Sequence, residues 1–124
     1  MKKIIIKSGD IKLHAELNDS ETAKAVWDIL PLEGVANVWG DEIYFTIPLH
    51  VDQEADARQE VEVGTLAFWP AGDAFCIFFG PTPVSITNKP RAYSPVNVFG
   101  KILGDATILK QVSDGEQVMV IMEE

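Results

Sequence analysis

The sequence predicts a mainly β domain, a closed eight-stranded β-barrel with two short capping helices. The first observation behind this is alternation: in Ile11–Leu17 every second residue is apolar, which is typical of a strand with one buried face. The second is spacing, because short apolar stretches alternate with turn signals along most of the chain. The third is that the first and last stretches are both apolar, and pairing them would remove exposed sheet edges.

The N-terminal third of the chain is predicted to form two strands and a helix. Residues 2–17 give two strands around the turn residues Ser8, Gly9 and Asp10. The period then changes from two to about 3.6, and polar residues 18–20 supply an N-terminal cap, while Pro31 ends the helix. The predicted apolar face of this helix consists of Ala23, Val26, Trp27 and Leu30.

The middle of the chain is predicted to contain two further pairs of strands. Residues 35–49 indicate a hairpin with Gly40-Asp41 as a type II′ turn. Residues 52–62 are strongly charged and are expected to form an exposed loop. Residues 61–80 give a strand, a turn at Pro70–Asp73 and a second strand. In that second strand, Phe75–Phe79 is apolar on both faces, so we expect the predicted helix to cover its outer face.

The C-terminal part is predicted to begin with a long loop. Residues 81–97 contain four prolines, which makes regular structure improbable, and a loop of this length points to a functional or covering role. A strand follows at residues 96–103, then a short helix at 105–112 with Asp105 as its N-terminal cap. Asp114-Gly115 is a turn that leads to the last strand at 116–122.

Composition and charge exclude several classes of protein. The chain has 124 residues, which suits one domain over 1–124, and 47% of them are hydrophobic. A net charge of −9 with only two arginines argues against binding nucleic acid or an anionic membrane. Lys7 ends the apolar run after Lys3 too early for a secretory signal, and the single cysteine, Cys76, cannot form an internal disulfide. We therefore expect a cytoplasmic protein.

Four segments of the chain resemble, in order, the cyclophilins, which are peptidyl-prolyl isomerases. The segment ELNDSETAKAVWDIL resembles their strand-to-helix opening, and IYFTIP resembles a strand that ends in an isoleucine-proline pair. GTLAFWPAGDAFCIFFG and VNVFGKILGDATILKQV resemble a phenylalanine-rich strand pair and a strand that leads into a short helix. The segments AFCIFFGPTP and VNVFGKI are similar to segments of small prokaryotic cyclophilin-like proteins. The resemblance implies an eight-stranded barrel capped by two helices.

The resemblance also bears on isomerase activity. Rotation about the prolyl amide faces a barrier of ~18–20 kcal/mol, and cyclophilins are understood to weaken amide resonance with an arginine that hydrogen-bonds the prolyl nitrogen. That arginine lies three residues before the proline of the isoleucine-proline pair, and counting back from Pro48 gives Phe45. A lost donor of this kind would remove about 3–4 kcal/mol of transition-state stabilisation. Arg91 is the one possible substitute.

An aromatic ligand pocket is predicted at the rim of the barrel. Tyr44 and Phe45 point to opposite faces of a strand, so each aromatic candidate stays open between pocket and core. Arg91 is open between a ligand contact and a surface ion pair or a stack on Tyr93, and His50 between a ligand contact and solvent. The candidate ligand-binding residues are Tyr44, Phe45, His50, Phe68, Trp69, Phe79, Arg91 and Tyr93.

No catalytic residue, metal site or cofactor is predicted. Asp52, Glu54 and Asp56 have irregular spacing, and two histidines with one cysteine make a poor zinc set. The leading hypothesis is a binding module for a peptide or small-molecule ligand that lacks the isomerase arginine. The second is a weak or divergent peptidyl-prolyl cis-trans isomerase, and the third is a structural role through self-association. The expected state is a monomer or small homo-oligomer.

Overall fold

The computed structural model of the chain describes residues 2–123. Within that range the chain forms ten strands, one α-helix and one 3-10 helix. No helix of these residues has both the length and the apolar composition needed to cross a membrane. The elements in chain order are β1 (Lys3–Ser8), β2 (Ile11–Leu17), α1 (Glu21–Asp28), β3 (Leu32–Val35), β4 (Asn37–Trp39), β5 (Glu42–Thr46), β6 (Arg58–Glu60), β7 (Thr65–Trp69), β8 (Ala74–Phe78), β9 (Arg91–Leu103), the 3-10 helix (Ala106–Gln111) and β10 (Gln117–Met122).

The strands form one antiparallel sheet in the order β3-β10-β1-β2-β9-β7-β8-β5-β4, and β6 pairs with β9 beside this path. The predicted turn at Gly40-Asp41 connects β4 and β5 in a hairpin. Gly40 has a φ of +59° between the facing residues Trp39 and Glu42, as the first position of a type II′ turn requires. Ser20 caps α1 by accepting a hydrogen bond of 3.1 Å from the Ala23 backbone N–H.

The prediction of a closed eight-stranded barrel is wrong. Across residues 2–123 no backbone ladder joins β3 to β4, the two strands at the ends of the sheet path, so the sheet stays open. Ala36 links them covalently, but its backbone bonds to the turn before β10: its N–H donates to Glu116 O and its carbonyl accepts from Gly115 N–H, both at 2.8 Å. The Val38 N–H likewise donates to Asp114 Oδ1 at 2.9 Å. These groups are therefore not free to close a ladder.

Two strands that the sequence did not indicate raise the number from eight to ten. β3 lies just after the predicted end of the helix, in a segment for which no element was predicted, and pairs with β10. β6 lies in the charged segment predicted to be an exposed loop, and pairs with β9. The predicted loop over 81–97 is also shorter, because β9 begins at Arg91. Pro95 is tolerated there because the β6–β9 register is irregular between the pairs made by Arg58 and Glu60.

The main hydrophobic core lies on one face of the sheet and includes α1. Ala23 and Val26 of α1 are buried in it together with the rings of Phe45, Phe75 and Phe99. The rings of Phe45 and Phe75 stack with their centroids 5.0 Å apart. The helix thus packs on the main core, and the prediction that it covers the outer face of Phe75–Phe79 is wrong.

A buried polar network ties α1 to β9 and to the segment after β5. The Asn97 side chain is fully buried; its Nδ2 donates to Thr22 Oγ1 at 3.2 Å and to the Asp52 carbonyl at 3.0 Å. Its Oδ1 accepts from the Glu54 backbone N–H at 2.8 Å, and the Thr22 hydroxyl donates to the Glu54 carboxylate. Because all of these groups are paired, the network fixes the path of residues 52–54.

Candidate functional site

A second hydrophobic cluster lies on the opposite face of the sheet from the main core. Every side chain of β8 is buried; Phe75 and Ile77 point to the main core, and the alternate residues point to the second cluster. The cover on that second face comes from Val61 and from the first half of β9. The buried members are Val61, Ala67, Ala74, Cys76, Phe78, Ala92 and Val96, with Tyr44, Trp69 and Val98 packed against them.

A cavity of about 240 Å³ opens at one side of this second cluster. Four strands supply its walls: β4 and β5 through the residues around the Gly40-Asp41 turn, β7 through its last residue, and β9 through its N-terminal half. Glu42 and Tyr44 share one face of β5 because they are two residues apart, and Trp39 faces Glu42 across the hairpin. The lining residues are Trp39, Glu42, Tyr44, Trp69, Ala92, Tyr93 and Val96.

The aromatic lining residues stand at steep angles to one another. The ring of Tyr93 lies 6.3 Å from that of Trp39 and 6.2 Å from that of Trp69, centroid to centroid, at 69° and 82°. The rings of Tyr44 and Trp69 are 6.5 Å apart at 73°. The Trp69 indole N–H donates to the Ser94 hydroxyl, which holds that ring in place. Edge-to-face contacts of this kind are favourable, and they join all four aromatic residues of the lining into one connected group.

Glu42 is the one acidic residue of the lining, and it is buried. Its exposed fraction is 5%, and its Oε1 atom has no hydrogen-bond partner among the described residues. Burial raises the pKa of Glu42 from 4.5 to about 7, and a hydrogen bond from the Cys76 thiol lowers it by less. The same thiol proton can instead be donated to the Ala74 carbonyl, with sulfur and oxygen 3.8 Å apart. Burial and the neighbouring Glu42 raise the pKa of Cys76 well above 9.

The structure brings together three of the eight residues predicted to bind a ligand. Tyr44, Trp69 and Tyr93 line the cavity, with Tyr93 the most open at 69% exposed. The other three aromatic candidates are buried in the main core and do not line the cavity: Phe45, Phe68 and Phe79.

The two remaining candidates lie apart from the lining. Arg91 directs its Nη2 to Gln59 Oε1 at 3.3 Å, although its neighbour Ala92 lines the cavity. His50 is exposed, with Nδ1 2.6 Å from Asp73 Oδ1 and Nε2 3.0 Å from Asp52 Oδ1. These carboxylates, Asp73 first and Asp52 second, raise the pKa of His50 above its ordinary value.

Two lining residues, Trp39 and Glu42, were not among the predicted ligand-binding residues. A signal for both was present, because a two-residue turn at Gly40-Asp41 makes Trp39 and Glu42 face each other, and alternation puts Glu42 on the same face as Tyr44. What the pattern did not contain is the burial of Glu42, which depends on the side chains that β7, β8 and β9 bring over it.

No comparable site is formed by a wider groove of the described residues or by their side chains of metal-binding type. This groove, of about 670 Å³, lies beside the β1–β2 turn; Lys7, Asp10 and Glu116 border it, and no aromatic side chain does. Within residues 2–123 no three side chains of histidine, cysteine, aspartate or glutamate lie close enough together to hold a metal ion. The aromatic cavity with Glu42 is therefore the candidate site.

Comparison with known proteins identifies the family. The family model described as cyclophilin-like matches residues 2–121. A hypothetical protein from Archaeoglobus fulgidus, known from a solution structure, is 39% identical and superposes with a TM-score of 0.82, over 98% of this chain and 95% of that one. The search of curated proteins found no match. The chain belongs to the small prokaryotic cyclophilin-like family, as the sequence resemblance implied.

Proposed function

We propose that this protein is a binding module that holds a small ligand, or one side chain of a peptide, in the cavity bordered by Trp39, Tyr44, Trp69 and Tyr93. The observation that carries the proposal is the cavity itself: a concave space with aromatic walls and one convergent polar group, Glu42. Ligand sites are commonly built in this way, from apolar walls with few polar groups that set orientation.

The size of the cavity limits the ligand. Sites for drug-sized molecules usually enclose about 300–1,000 Å³, and this one encloses about 240 Å³. A single ring or a compact branched group fits such a space, whereas an extended peptide would leave most of its length outside. Tyr93, largely exposed at the mouth, can contact the part that remains outside.

Tryptophan fluorescence tests the proposal directly. The chain has three tryptophans, and two of them, Trp39 and Trp69, line the cavity. Trp27 lies on α1, where the Lys2 ammonium sits 4.9 Å from its ring centroid. In a Trp27→Phe variant the emission therefore comes from the cavity alone. We expect saturable changes on titration with a proline-containing tetrapeptide, with choline, or with its neutral isostere 3,3-dimethyl-1-butanol.

A matched pair of variants gives the control. Tyr93→Ala in the Trp27→Phe background removes one wall, and we expect it to weaken binding at least about fivefold, because aromatic contacts carry much of the energy at such sites. Ile86→Ala shortens an apolar side chain that is 77% exposed and away from the lining, and it should leave binding unchanged. No saturable response to any of the three probes at millimolar concentration would refute the binding module.

The weak isomerase is the alternative, and its geometry is less favourable. Neither Arg58 nor Arg91 is among the lining residues, and Phe45, at the position that the resemblance gives to the catalytic arginine, is buried in the main core. A protease-coupled assay with a prolyl tetrapeptide separates the two functions. Turnover that Arg91→Ala abolishes would favour the isomerase, and no turnover at micromolar protein would exclude it.

A further inference from the structure

We propose that the ligand group held in this cavity is an organic cation, a methylated ammonium, with the Glu42 carboxylate as its counter-ion. This inference rests on the proposed function, because it names the chemistry of the ligand that the same cavity binds. It follows from three observations: four aromatic side chains around one small space, a buried carboxyl oxygen without a partner among the described residues, and a lining without any cationic side chain.

The aromatic walls suit a cation. Trp39, Tyr44, Trp69 and Tyr93 all line the space, and the planes of the paired rings make angles of 69° to 82° with one another. A cation within about 6 Å of a tryptophan or tyrosine ring is attracted by the negative face of the ring, and cages of such rings bind quaternary ammonium groups. A primary ammonium needs acceptors for three N–H groups, whereas a methylated one presents apolar methyl groups to the rings.

Glu42 supplies the matching charge. Its Oε1 is buried in the lining and has no partner in the part of the chain that the structure describes. A buried carboxylate without a partner is costly, and a cationic ligand would provide the missing partner. Without a ligand, the same cost is avoided by protonation, in line with a pKa of about 7.

Among residues 2–123, no other charge close to Glu42 takes the place of the cation. The Cys76 thiol from β8 stays neutral at physiological pH, because its pKa is raised well above 9. The phenols of Tyr44 and Tyr93 complete the titratable groups of the lining. Asp41, next in the chain, has its carboxylate 3.8 Å from the Lys110 ammonium.

Long-range electrostatics act in the same direction. The two arginines of the chain lie on β6 and at the start of β9, and neither is a lining residue. The net charge of −9 attracts cations toward the protein as a whole. The cavity therefore combines local and global features that favour a positive ligand.

Choline and 3,3-dimethyl-1-butanol provide a matched test, since they have nearly the same shape and differ in charge. We expect choline to bind the Trp27→Phe protein at least tenfold more tightly than the neutral isostere at pH 8. Only the ionised form of Glu42 would hold the cation, so its affinity should rise about tenfold from pH 6 to pH 8. A neutral ligand that accepts a hydrogen bond from protonated Glu42 would show the opposite trend.

Charge removal at constant shape completes the experiment. Glu42→Gln should weaken choline binding at least tenfold and abolish its pH dependence, while Glu21→Gln, which removes an exposed carboxylate on α1 paired with Lys24, should change neither. If the isostere binds as tightly as choline and the affinity for choline does not rise with pH, the cation inference is overturned while the binding module stands. If only the prolyl tetrapeptide binds, the inference is also overturned. If Glu42→Gln does not fold, the pH profile of the Trp27→Phe protein, which retains Glu42, decides.

Discussion

Replacing Glu42 by glutamine is expected to change how the stability of the protein depends on pH. The pKa of this carboxyl is 4.5 when exposed and about 7 in the folded chain, where burial favours the protonated form. Each pKa unit corresponds to about 1.4 kcal/mol, so the shift changes the free energy of unfolding by about 3–4 kcal/mol across the whole titration. The side chain is 5% exposed, and solvent screening therefore takes little from this value.

The sign follows from proton binding in the two states. Between pH 4.5 and 7 the folded chain keeps the Glu42 proton that the unfolded chain loses, so the free energy of unfolding falls as pH rises through this window. Glutamine does not titrate. Relative to the unmodified protein, Glu42→Gln should therefore gain about 2–3 kcal/mol in the free energy of unfolding between pH 5 and pH 8.

Urea denaturation at several pH values measures this difference. All other titrating groups, including the Asp73-paired His50, are common to both proteins, so their contributions cancel in the comparison. Glu21→Gln serves as the control, since its carboxylate is exposed and its curve should run parallel to that of the unmodified protein. Parallel curves for Glu42→Gln as well would refute the assignment of a buried carboxyl with a raised pKa.

Three further changes test other parts of the structure. Asn97→Ala leaves the buried network without its centre and should lower the free energy of unfolding by about 2–3 kcal/mol in urea denaturation; a loss below 0.5 kcal/mol would contradict the network. Gly34→Ala should lower it by about 1–3 kcal/mol because the new methyl group overlaps the ring of Phe45. A Phe45→Leu background should relieve part of that loss, and simple additivity would count against the contact. Asp73→Asn should lower the pKa of His50 in an NMR titration, with asparagine tolerating the φ of +49°, and an unchanged pKa would contradict the pair.

Local patterns predicted those elements whose signal lies within a few residues. The hairpin turn at Gly40-Asp41 and the Ser20 cap of α1 are set by backbone geometry and by one side chain next to the element. The charged strand β6 escaped prediction because its sequence has no apolar face, and it forms only because β9 offers a partner. Closure of the sheet was predicted wrongly for a related reason, since the open sheet depends on which groups bond to Ala36 across long sequence distances.

For the candidate site, too, the sequence predicted some features and the structure alone showed others. Alternation placed Tyr44 and Phe45 on opposite faces of β5, and the structure shows which of the two lies beside the cavity and which in the main core. Tyr93 was within reach of prediction as an aromatic residue in a proline-rich segment. The burial of Glu42 was not, because a glutamate beside a turn normally points to solvent, and here strands distant in sequence bury it.

The sequence by itself determined the family, the antiparallel β character and the faces to which neighbouring side chains point, because these depend on short-range spacing and on residue identity. Only the tertiary structure decided that the sheet stays open, that residues of β9 and not α1 cover the second face of β8, and that Glu42 is buried among aromatic rings. The physical reason is that ladder pairing and desolvation are set by segments far apart in the chain. A local pattern therefore contains no measure of either.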